Sequence, residues 1–60
     1  MNIESIKHRI SILEGRHKYK HDVVEALEAE KAPSHIIAQL KIEKLALKDE
    51  INTLKTSLGQ

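Results

Sequence analysis

His17 and His21 stand four residues apart, with Glu14 and Glu25 extending the same helical stripe to either side. A Glu-x-x-His-x-x-x-His spacing on a helix could offer two or three ligands to zinc or another divalent cation. A structural zinc site normally takes four ligands with a supporting shell around them, so a second helix or subunit would have to complete this one. Two histidines at this spacing are also common on polar helices, and the expectation is no metal and no other cofactor. The hydroxyls of Ser5, Ser11, Ser34, Ser57, Thr53 and Thr56 are the candidate nucleophiles. None has a base and an orienting group at recognisable spacing, and no glycine-rich phosphate loop is present. Gly15 is isolated inside a helical pattern, where it costs about 1 kcal/mol relative to alanine; close helix packing or a weak point would explain it. No catalytic residue is assigned, and the chain reads as a non-enzyme.

Charge is unevenly spread. Lys7, Arg9, Arg16, Lys18 and Lys20 are interrupted by one acid, Glu14, whereas Asp22, Glu25, Glu28 and Glu30 follow without a base. The basic half could touch phosphates, which makes an accessory nucleic-acid-binding protein the alternative function. Against it, these bases point at different angles around a helix, and Tyr19 is the sole aromatic residue to stack on a base. A solvated helix that pairs with the opposite charge of a neighbour accounts for the same pattern.

The elements that would carry these groups follow from composition and periodicity. The chain has 60 residues, 40% hydrophobic, with ten Lys+Arg against nine Asp+Glu and no cysteine. That excludes disulfides and cysteine-ligated zinc, and a near-neutral balance commits the chain to no charged partner. A domain this small buries only about 60% of its unfolded surface, so self-association is the support left to it. The start shows no apolar signal segment, and no stretch approaches the roughly 20 apolar residues of a membrane span. Neither helix has the aromatic or basic-apolar face of an interfacial membrane helix. A cytoplasmic location without membrane contact is expected.

Ile3, Ile6, Ile10, Leu13, His17, Lys20, Val24 and Leu27 recur at alternating three- and four-residue steps, keeping one face toward a partner helix. Asn2 is a candidate N-cap, and Glu4 suits the positive end of the helix dipole. Pro33 stops the run. Ser34 is then expected to cap a second series, Ile37, Leu40, Lys44, Leu47, Ile51, Leu54 and Leu58, with Gly59 just past its end. The expected fold is all-α: one domain over 1–60, with helices at 3–31 and 35–58 and a turn at 32–34. A turn this short favours a coiled-coil-like antiparallel hairpin.

Setting Leu27 against Leu40 pairs Lys20 with Leu47, His17 with Ile51, Leu13 with Leu54 and Ile10 with Leu58. The seam then rests on Leu13, Val24, Leu27, Leu40, Leu47, Ile51 and Leu54. Flanking positions bring Glu28 to Lys41, Glu14 to Lys55 and Arg16 to Glu50, all of opposite sign, while His21 falls beside Lys48. Each such pair contributes only about 0.2–1 kcal/mol, so the matches argue for register more than stability.

Ala38, Ile42 and Leu45 form a second apolar stripe, on the side of the second helix opposite Leu40, Leu47 and Ile51. One facing helix cannot cover both sides. Ile42 and Leu45 are therefore the candidate self-association residues, and a homo-oligomer, preferably a dimer packed as a helical bundle, is expected.

The run Lys44-Leu45-Ala46-Leu47-Lys48-Asp49-Glu50-Ile51, preceded by Leu40-Lys41, resembles the signature of the YdcH-like proteins. These are short bacterial helical proteins of unknown function. His17 also matches a histidine common in that family's first helix. The match departs at Lys20 and His21, where the family usually has Leu followed by Asp. The resemblance implies a bacterial source and a helical hairpin, and it transfers no catalytic residue. The functional expectation is a small interaction module that acts through self-association and contact with a protein partner whose identity the sequence does not give.

Overall fold

Asn2 opens the first helix by accepting a hydrogen bond from the Ser5 N–H at 2.8 Å, which satisfies one of the donors that every helix start leaves unpaired. The computed structural model describes residues 2–59. Helix α1 runs Ile3–Ala29 and helix α2 runs Ser34–Ser57; they pack against each other as an antiparallel hairpin. The all-α two-helix architecture expected from periodicity is the observed one.

The end of α1 differs from expectation, and the cause is local. Helical structure stops at Ala29, not at Lys31, because Lys31 takes a left-handed conformation with φ 58°. The Lys31 N–H then donates to Glu28 O at 3.1 Å and the Ala32 N–H to Leu27 O at 2.9 Å. Together these form a Schellman motif, which satisfies carbonyls at the helix end. Pro33 follows immediately. Its carbonyl accepts from Ile36 N–H at 3.1 Å and Ile37 N–H at 3.3 Å, so Pro33 is the N-cap of α2. Ser34 is the first helical residue and makes no side-chain cap, which corrects the expected role of its hydroxyl. At the far end Gly59 adopts φ 80°, and its N–H donates to Thr56 O at 2.9 Å.

The seam is apolar at both ends and polar in the middle. Ile10, Leu13 and Ile51 are buried together, with Ile6, Leu47, Leu54 and Leu58 half-buried against them at the end away from the turn. Val24 is buried nearer the turn, where Leu27, Ile37 and Leu40 are half-buried. Between these apolar groups the repeat supplies His17, Lys20 and Lys44, all half-buried. The resulting rod measures 43 × 15 × 14 Å.

Two of the three expected flanking ion pairs form, Lys41–Glu28 and Lys55–Glu14, both at 3.4 Å. The third is exchanged: Glu50 engages Arg9 at 2.9 Å instead of Arg16. Arg9 and Arg16 are seven residues apart on one flank of α1, so heptad spacing alone could not choose between them.

Candidate functional site

Ile42 and Leu45 lie on the outer face of α2 and keep 63% and 58% of their surface exposed, although both are large and apolar. Their exposure follows from the heptad. Once Leu40, Lys44, Leu47 and Ile51 turn toward α1, residues two and five positions after Leu40 must turn away. Ala38 is exposed on the same stripe. Lys41 borders it, with its ammonium held by Glu28 on α1.

A second apolar surface was not singled out from the sequence. Ile12, Gly15, Arg16, Tyr19 and Lys20 of α1 join Leu47 of α2 around a shallow, open groove of about 530 Å³. Tyr19 is 70% exposed. A Cβ at Gly15 would meet nothing within 4 Å, so close helix packing does not account for the glycine. Its effect is to lower the groove floor and weaken the helix. The signal was available in Ile12 and Tyr19, which are seven residues apart on one side of α1. Recognising a groove also required knowing that Leu47 forms its far wall.

The histidine stripe does not converge. His21 pairs with Glu25 through Nε2, while its Nδ1 lies 3.2 Å from Lys44 Nζ. A neutral ring protonated on Nε2 serves both contacts, donating to the carboxylate and accepting from the ammonium. The expected neighbour Lys48 is thus replaced by Lys44. Glu14 is turned to Lys55, and His17 lines a depression with Glu14, Lys48 and Lys55. Among the described residues, no three His, Asp or Glu side chains gather as a metal site would require.

The basic half of α1 is largely engaged. Arg9 pairs with Glu50, Lys18 with Asp22 at 3.5 Å, and Lys20 with Glu43 at 2.8 Å. Of the five candidate nucleic-acid contacts, Lys7 and Arg16 make no ion pair among the described residues. The Lys20 hydrogen bond, then that of Gln39, holds the Glu43 carboxyl below its ordinary value. Three of the six candidate hydroxyls are occupied too: Thr53, Thr56 and Ser57 donate to the carbonyls of Asp49, Asn52 and Thr53. Such back-bonding belongs to helix structure and activates no nucleophile.

Fold and surface together define a two-helix antiparallel hairpin with an unpaired apolar face. No protein-family model matches the chain, and no curated protein or solved structure matches it. No helix among the described residues is long and apolar enough to cross a membrane.

Proposed function

We propose that this chain is a small cytoplasmic interaction module of the YdcH-like kind, which acts through self-association and contact with a protein partner. The observation that carries the reading is the exposure of Ile42 and Leu45 beside a core as thin as Ile10, Leu13, Val24 and Ile51. A second helix surface laid over the α2 stripe removes apolar area from water at about 25 cal/mol per Å². It adds to a seam that is marginal by itself. Scattered exposed apolar residues are ordinary on protein surfaces. Here Ala38, Ile42 and Leu45 are instead contiguous on one face of a single uninterrupted helix.

Light scattering combined with circular dichroism tests the proposal on wild type and on the Ile42→Glu/Leu45→Glu variant. The expected result is a wild-type mass above that of one chain at high micromolar concentration. The variant should fall to the mass of one chain while keeping its helix content, because neither side chain contributes to the seam. A wild type that stays monomeric throughout that range overturns the reading.

A further inference from the structure

Resting on the self-association proposed above, we infer that the partner of the α2 outer face is the same face of a second copy, laid antiparallel about a two-fold axis through Ile42. The argument is in the ends of the stripe. His35 precedes Ile42 by seven residues and Asp49 follows it by seven, so all three lie on one line along α2. The line spans fourteen residues, about 21 Å at 1.5 Å per residue. Both end residues are exposed, and among the described residues neither takes part in an ion pair within its own chain.

An antiparallel two-fold places Ile42 on Ile42 of the second copy. Ala38, four residues before the axis, comes within one residue, about 1.5 Å along the helix, of Leu45, three after it, in the second copy; this happens twice and sets small beside large, as interdigitating faces require. It also brings His35 to Asp49 at both ends, a donor or cation against a carboxylate. A parallel arrangement would instead align Asp49 with Asp49 and His35 with His35, so its ends repel or go unpaired. Lys41, at the border of the patch, does not disturb this scheme, since Glu28 of its own hairpin already holds it. An interface that is self-complementary under a two-fold closes at a dimer.

The absence of cysteine allows a direct test by disulfide capture. His35→Cys and Asp49→Cys chains are prepared separately and oxidised mildly, alone and as an equimolar mixture. The mixture is expected to yield a mixed disulfide dimer at least tenfold faster than either variant alone, because only the antiparallel pairing brings these positions within disulfide reach. Fixed charges give a second arm. His35→Lys should lower the dimer Kd about three- to tenfold, and His35→Lys/Asp49→Lys should raise it above wild type. The reversed pair His35→Glu/Asp49→Lys should return to the His35→Lys value. Faster capture by His35→Cys alone, or a dimer indifferent to all three charge variants, overturns the antiparallel pairing and leaves self-association standing. A wild type that is monomeric at high micromolar concentration overturns both.

Discussion

At the scale of single residues, Lys20 and Glu43 show how a polar side chain is accommodated at a seam position. Lys20 is half-buried, and its stem lines the groove beside Leu47 while its ammonium reaches Glu43 at 2.8 Å. Its neighbour His21 likewise finds partners in Glu25 and Lys44. The Lys20 and Gln39 hydrogen bonds lower the Glu43 carboxyl, and this has a definite pH signature. Because the folded value lies below the unfolded value of about 4.3, the contribution is complete above that unfolded value. It disappears as pH falls through the folded one. Glu43→Gln should therefore lower the melting temperature slightly near neutral pH, and the gap from wild type should close as acid is added below about pH 4. Thermal melts from neutral to strongly acidic buffer read this directly. A gap that stays constant with pH would mean that the glutamine disturbs packing and that charge is not the cause.

Among the elements, the connection between the helices holds the least expected conformation. Lys31 takes φ 58°, a region that costs an ordinary L-residue about 1–2 kcal/mol and glycine almost nothing. Lys31→Gly should stabilise the hairpin by about 0.5–1 kcal/mol, less than the relief of strain because glycine also gives the unfolded chain more freedom. Chemical denaturation reads the change, and a destabilised variant would show that the lysine side chain contributes something the backbone strain conceals. The same turn marks where sequence reasoning stops. Glycine or asparagine usually announces a left-handed helix end, whereas lysine at that point reads as the basic last turn of a continuing helix. That places the boundary two residues late. Ser34 misleads for a related reason: a serine before an apolar run predicts a cap, yet the Pro33 carbonyl takes the first helical bonds. By contrast, the hairpin and the exposure of Ile42 and Leu45 were legible, because a three-four repeat settles which side chains face inward and which cannot. The Ile12–Tyr19 groove was not, since its far wall, Leu47, belongs to the other helix.

The whole molecule is a rod whose dimensions follow from having one seam. Its radius of gyration is 13.8 Å, whereas a compact chain of this length would have about 10 Å. Its accessible surface is 4515 Å², against about 4,000 Å² for a globular monomer of this mass. Stability must come from a line of contacts, and that line is broken where His17, Lys20 and Lys44 separate the Ile10–Leu13–Ile51 cluster from Val24. Polar residues at seam positions usually lower stability while fixing register. Lys20→Leu should join the apolar segments and stabilise the chain by about 0.5–1.5 kcal/mol. The burial gained exceeds the loss of one partly exposed ion pair, since Glu43 can return to water. The urea midpoint should rise with an unchanged slope. The measurement belongs at low micromolar concentration, where self-association adds little to apparent stability. A lower midpoint would mean that the Lys20–Glu43 contact holds the two helices in register more effectively than a leucine at the same place can.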